Sequence, residues 1–285
     1  MNKIFLFFVL CCCQVFSQTS LGETLEDYNK NLNTITTAVP FLTIAPDSRS
    51  GAMGDLGVAT TPDVYSLHWN SAKLAFLPDG GSFAISYTPW LSNLVPDISL
   101  SHITGYYKLN KISTIAGGLR YFSLGNVQFT DNSGTPIGEY DPNEYVFDLG
   151  YSMKLSDNFS AGLVMKYIYS NLTGGMFVEN FSTKAGQSFA VDLGTYYESK
   201  KFKLTEYESQ WAAGLNISNI GGKISYTESG DEDFLPMNLR IGGRLSTEID
   251  DYNRFMVAFD INKLLVPSPP VYDRSGNLEP ENIIA

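Results

Sequence analysis

The sequence predicts an all-β chain that crosses a membrane as an antiparallel β-barrel with a plug at its amino end. Three observations lead there. Apolar residues recur at every second position through long segments, the mark of strands with two chemically different faces. Every ionisable side chain near the centres of those segments shares the parity of Gly, Ala and Ser, and none falls on the aromatic parity. Connections between the segments alternate between short and long, as in membrane barrels with turns on one side and loops on the other. Composition agrees: charged residues are 17% of the 285, well under the roughly 25% usual in soluble domains. Phe 18 and Tyr 17 exclude a disordered chain. A formal net charge of -11, with no basic stripe, excludes a nucleic-acid partner.

The amino end reads as a targeting segment. Met1-Asn2-Lys3 leads into the apolar run Ile4 to Leu10, then Cys11 to Cys13 and Val15-Phe16-Ser17, which is the pattern of a secretory signal peptide over 1–17. The run is too short to span a bilayer. All three cysteines lie within it, so the exported chain has no thiol, disulfide or cysteine metal site. A lipid-attachment reading at Cys13 lacks the expected small residues before it, where Cys11-Cys12 stand. Residues 18–80 lack the two-residue period and are expected to form a periplasmic or hatch segment, with 81–285 a partial barrel.

Strands are expected at 82–90, 96–108, 112–125, 143–154, 158–170, 186–199, 208–220, 237–249 and 253–263. Tyr145, Phe147, Leu149, Tyr151 and Met153 make one apolar row, interleaved with Val146, Asp148, Gly150, Ser152 and Lys154. Phe159 to Tyr169 and Phe189 to Tyr197 repeat the scheme, as do Trp211 to Ile217, Leu239 to Leu245 and Phe255 to Ile261. The charges Asp148, Lys166, Asp192, Arg240, Arg244 and Asp260 all take the other parity. A soluble sandwich also alternates, but with shorter strands and many surface charges. These segments reach the about 9 to 11 residues that a tilted membrane strand needs.

Short links at 109–111, 155–157 and 250–252 follow the second, fourth and eighth strands, whereas the loops 126–142, 171–185 and 221–236 follow odd ones. That alternation places the amino end in the periplasm. Nine strands is an odd count, and the chain stops at Ile283-Ile284-Ala285 after a polar, Pro-rich stretch. A carboxyl-terminal truncation is therefore expected, since an open sheet would leave edge groups unpaired in hydrocarbon.

Particular phrases carry a resemblance. They are 33–44, 46–60 with Pro46-Asp47-Ser48-Arg49-Ser50-Gly51-Ala52-Met53-Gly54-Asp55, and Trp69-Asn70-Ser71-Ala72-Lys73-Leu74-Ala75-Phe76. Ser86-Tyr87-Thr88-Pro89-Trp90-Leu91, Leu119 to Gly125, Asn216 to Gly221 and Asp260 to Pro267 extend it over essentially all of the exported chain. This sequence resembles the PorV family, outer-membrane barrels of the type IX secretion system of Bacteroidetes. The resemblance implies a FadL-like barrel of fourteen strands, longer than this chain, whose amino-terminal segment folds inward as a hatch. In the wider FadL-like group Trp-Asn usually continues with Pro, where Ser71 stands here. It also implies a non-enzyme that binds cargo through the cargo's C-terminal signal domain at the SprA-type translocon. That cargo is then carried to the surface attachment complex containing the sortase-like PorU. Outer-membrane lipid is the remaining partner.

Asp47, Arg49, Gly51, Met53, Gly54, Asp55, Trp69 and Asn70 are expected in the hatch, with Asp47 and Arg49 pairing across it or with lumen charges such as Arg240. The spacing of Gly51, Gly54 and Gly57 fits neither a dinucleotide fingerprint nor a P-loop, so compact packing is expected there. Trp90, Leu91, Leu94 and Val95 form an apolar outer loop, and Leu264, Leu265 and Val266 begin another. Both are candidates for partner contact. An interfacial aromatic anchor is the competing role for Trp90. Asp231-Glu232-Asp233 lacks the ordered ligand loop of a calcium site and reads as a loop tip. His68 and His102 are far apart in sequence, with no cysteine to complete a zinc or nucleophilic set. No cofactor, metal or catalytic residue is expected. Two function classes stay open from the residues alone, a secretion-system interaction protein and a channel for hydrophobic small molecules.

Overall fold

In the computed structural model the described residues are 35–91, 93, 97–130, 133–175, 177–178, 181–227 and 232–267. The expected signal peptide, residues 18–34, Leu94, Val95, Asp231 and the tail from 268, on which the truncation reading rests, lie outside them. Thr36–Val266 forms one compact unit.

The strands run in chain order as β1 Gly81–Pro89, β2 Ser99–Lys108, β3 Ser113–Ser123, β4 Val127–Thr130, β5 Pro136–Tyr140, β6 Asn143–Lys154 and β7 Phe159–Asn171. They continue as β8 Phe177–Val178, β9 Phe181–Ser182, β10 Gly186–Glu198, β11 Phe202–Leu204, β12 Tyr207–Gly221, β13 Asn238–Glu248 and β14 Arg254–Leu264. The nine long ones form a single antiparallel sheet in the order β1-β2-β3-β6-β7-β10-β12-β13-β14, so every neighbour in space is the next long strand in sequence. The short β11 extends the turn before β12. Two small hairpins, β4–β5 and β8–β9, are built inside what the sequence reads as plain loops. Among the described residues β1 and β14 each pair on one side only.

The two faces of the sheet differ as the alternation requires. Phe189 is 73% exposed and Phe259 60%, whereas Asp192 on the opposite face is 1% exposed. Outward rows on adjacent strands make one continuous apolar surface that a soluble monomer would not leave bare. That surface carries aromatic bands at both ends, as membrane barrels do at the headgroup levels. Tyr121, Tyr145 and Tyr169 sit directly across from one another at the long-loop end, the last two stacked at 4.7 Å. Tyr197 stacks on Trp211 at 4.9 Å near the short-turn end. No helix among the described residues is long and apolar enough to cross a membrane.

The inward face is filled by residues 36–80. Their helical pieces are short: a 3-10 turn Pro40–Thr43, α1 Ser48–Ala52, α2 Ser66–Trp69 and a 3-10 turn Ser71–Phe76. This segment touches the first strand, where Tyr65 Oη donates to Ile85 O at 3.5 Å, and the last, where Asp260 of β14 accepts from Gly57 N and Val58 N at 2.8 and 3.0 Å. The sheet therefore curls around it.

Candidate functional site: a filled lumen and its long-loop rim

The segment traverses the lumen lengthwise. At the long-loop end Ala38, Val39, Phe41 and Leu42 pack into Leu100, Phe122, Val146, Ile168 and Leu235, and Ala38 N donates to Phe234 O at 3.0 Å. At the short-turn end Leu67, Leu74 and Leu77 pack on Tyr106, Ala116 and Val164, while the Lys108 ammonium donates to Ala75 O and Leu77 O. Between them polar groups of the wall satisfy the hatch backbone, which would otherwise lose its water without compensation. Ser152 and Ser160 hydroxyls donate to Ala72 O at 3.1 and 2.7 Å, Thr114 Oγ1 to Leu74 O at 3.2 Å, and Arg120 to Leu42 O at 3.2 Å. Asn70, fully buried, donates through Nδ2 to Val58 O at 2.9 Å and to Thr195 O of β10 at 3.0 Å.

Glycines on the wall make room for this. A Cβ at Gly194 would stand 2.3 Å from Asn70 Oδ1, one at Gly214 2.2 Å from Val58 O, and one at Gly162 2.5 Å from Ala72 N. The small-residue parity read from the sequence is thus the seat of the hatch rather than the lining of an open pore.

Several site expectations are revised. Asp47 and Arg49 do not pair with each other or with Arg240. Asp47 caps α1 by accepting from Ser50 N at 2.8 Å and holds Trp69 Nε1 at 2.7 Å, which are nearer donors for a buried carboxylate. Arg49 pairs instead with Asp63 at 2.7 Å. Arg240 lays its guanidinium over the Trp69 ring at 4.5 Å. Compact packing applies to Gly57, whose Cβ would overlap the Trp69 ring at 2.2 Å, but not to Gly51, which faces open space. Gly54 takes φ +76°, and Asp55 follows at φ 62°, so this turn is left-handed and favours Gly first. Met53 ends α1, half-buried.

On the rim, Trp90 extends the β1–β2 ladder by donating to Ile98 O at 3.0 Å. With Tyr87, Ile44, Gly51 and Asp55 it lines a cleft of about 650 Å³ between β1 and the hatch. Leu91 projects outward with φ 51°. Leu264 and Leu265 are half-buried and Val266 is buried, with Leu265 N donating to Met237 O at 2.7 Å. This stretch continues the fold of β14 instead of standing free, which removes it from the exposed apolar surfaces.

Among the described residues, three charge pairs of the wall have at least one fully buried side chain: Lys166–Asp192 at 2.6 Å, Arg120–Asp148 at 3.5 Å and Arg244–Glu198 at 2.8 Å. Arg120 and Glu198 are not among the inward charges singled out from sequence, although Arg120 shares the parity of Ala116 and Gly118. Lys73 is the other unexpected member. It is fully buried in the hatch and donates to Gly57 O at 2.7 Å and Thr60 Oγ1 at 3.0 Å. Burial pushes its ammonium down to about 8, with Asp63 opposing. An unfolded lysine keeps its proton to about 10.4, so between the two values the unfolded chain binds a proton that the folded hatch has shed. Stability therefore rises with pH across that window, by about 3 kcal/mol. Denaturant midpoints taken from pH 8 to 10 are expected to climb in the wild type more steeply than in Lys73→Met. Equal slopes would contradict the role given to Lys73.

No group of three His, Asp or Glu is gathered for a metal among the described residues. A meandering antiparallel sheet with an apolar outer face and a filled inner face is the arrangement found in the walls of outer-membrane barrel proteins. The match to a family model, Type IX secretion system protein PorV, spans residues 27–271. The chain belongs to that family, which is non-enzymatic and places it in the outer membrane among the components of type IX secretion. No curated protein matches by sequence. Among solved structures it is similar to the Pseudomonas putida toluene transporter TodX, with a TM-score of 0.39 and 11% identity over 76% of this chain and 84% of that one. A second is the CymD monoaromatic hydrocarbon channel, with a TM-score of 0.28 and 11% identity over 79% and 94%.

Proposed function

We propose that this protein is the cargo carrier of its secretion system. It binds secreted proteins through their C-terminal signal domain at the SprA-type translocon and delivers them to the attachment complex that contains the sortase-like PorU. The observation that carries this reading is the hatch, which fills the lumen from end to end and leaves the long-loop rim, not a pore, as the working surface. Trp90 and Leu91 supply exposed apolar area there, and the hairpins β4–β5 and β8–β9 supply short strands of the kind that pair with β-rich partners. The signal peptide over 1–17 delivers the chain to the envelope, and further strands close the sheet between β1 and β14, satisfying edges that hydrocarbon would penalise by several kcal/mol each. Residues 47–55, with Trp69 and Asn70, are the plug.

The cleft beside Trp90 favours a second reading, a site for a hydrophobic small molecule between hatch and wall. Pull-down of the full-length protein from outer membranes in mild detergent separates the two. Co-purification of a translocon barrel, a sortase-like protein or signal-bearing cargo is the expected result. Recovery of the barrel alone with bound fatty acid would replace the carrier by the channel. Deleting the gene is likewise expected to abolish surface delivery of signal-bearing proteins while fatty-acid uptake continues.

A further inference from the structure

Residues 36–80 cross the lumen once, and the groups they meet give the direction. At entry, Ala38 N donates at 3.0 Å to Phe234 O in the loop 222–237 between β12 and β13. Phe41 stacks on Phe122, next to last in β3, with the ring centroids 6.0 Å apart. Both contacts lie at the long-loop end. At exit, Leu77 O accepts from the Lys108 ammonium and Gly80 O accepts from Lys108 N at 2.8 Å. Gly81 then opens β1 opposite Tyr107, beside the short β2–β3 turn. The alternation of short and long links therefore places the start of β1 on the periplasmic side. It does not place the start of the chain there, because the hatch has already run the length of the wall.

The entry is filled behind the hatch. Val39 and Phe41 are each 1% exposed and Leu42 2%, packed among Leu100, Val146 and Ile168. Thr36, two residues before Ala38, is exposed. A chain that turned back from Thr36 toward the periplasm through the lumen would have to displace this close-packed cluster.

We propose that the exported chain begins outside the cell: residues 18–35 leave the lumen at the long-loop end, the end that carries Trp90 and Leu91. Eighteen residues reach at most about 60 Å when extended, so this terminus can touch whatever is held at that rim. Glu23, Glu26 and Asp27 against the single Lys30 make it an acidic arm. The inference uses the orientation of the wall alone and holds for a carrier and for a channel.

Cysteine labelling tests this without background, since all three native cysteines lie in the expected signal peptide. Three variants are treated in intact cells with a maleimide attached to a polymer too large for outer-membrane pores: Ser20→Cys, Glu139→Cys in the β4–β5 hairpin, and Tyr252→Cys in the short β13–β14 turn. Ser20→Cys is expected to react as fully as Glu139→Cys, while Tyr252→Cys reacts only after the cells are opened. A peptide tag inserted between Ser20 and Leu21 should likewise bind its antibody on intact cells, and it decides the matter if the cysteine at 20 stays unreactive in opened cells. A terminus reached only after opening, with Glu139→Cys still labelled from outside, would overturn the proposal. Labelling of Tyr252→Cys with protection of Glu139→Cys would reverse the wall, and the proposal would fall with its orientation.

Discussion

Replacing Lys166 with methionine is expected to destabilise the protein by about 3–5 kcal/mol, the largest effect of any single polar substitution in the lumen wall. Both members of the Lys166–Asp192 pair are 2% exposed at the side chain, with Nζ 2.6 Å from Oδ2. Lys166 also donates to Asn219 Oδ1 at 2.9 Å, and Asn219 N donates to Asp192 Oδ1 at 2.7 Å. The methionine would leave Asp192 as a buried carboxylate with one backbone donor and no counter-charge. Asp192→Asn placed in the same chain removes that charge and keeps the acceptor for Asn219 N, so the double variant should recover most of the loss. Unfolding free energies in lipid vesicles measure both. A single variant within about 1 kcal/mol of the wild type, or a double variant no better than the single, would mean that the pair is solvated in a way its burial contradicts.

The second large effect concerns the seal. Leucine at Gly194 or Gly214 must displace Asn70 or the Val58 carbonyl, because even a Cβ there stands 2.3 or 2.2 Å from them. Overpacking of this kind costs about 1–3 kcal/mol per site. The hatch is held by point hydrogen bonds and short helical pieces, whereas the wall is a continuous ladder, so the hatch yields first. Both variants are expected to conduct ions across planar bilayers and to expose residues 48–76 to protease, where the wild type does neither. Gly117→Leu is the control, since its Cβ points to the apolar face and meets nothing nearer than Asp148 O at 3.7 Å. Variants at Gly194 and Gly214 as silent as Gly117→Leu would show that the hatch is not seated as described.

Why some of this was legible in the sequence and some was not follows from the solvents involved. The segment read as 143–154 is Asn143–Lys154 in the structure, and 158–170 is Phe159–Asn171. Strands between lipid and a polar interior must alternate at every position, so their limits are written in the residues. The hairpins β4–β5 and β8–β9 stand outside that constraint, and their Gly- and Thr-containing stretches read as loops. The hatch was legible as a segment but not in its contacts. Asp47 finds Trp69, Gly57 finds Asp260 and Asn70 finds Thr195 across 22, 203 and 125 positions, and no local period encodes such pairings. Lys73 was hidden for a related reason: a lysine between Ala72 and Leu74 looks solvated until the folded hatch surrounds it with a carbonyl and a hydroxyl.

The hatch holds hydrogen bonds to β1 through Tyr65 and to β14 through Gly57 and Val58. A sheet gripped from within at both its first and ninth long strands has its radius set by the girth of what it encloses. The amino-terminal segment is thus a former to which the wall is fitted. Lengthening that segment by a few residues inside the lumen would be a change in circumference, felt at every strand junction at once.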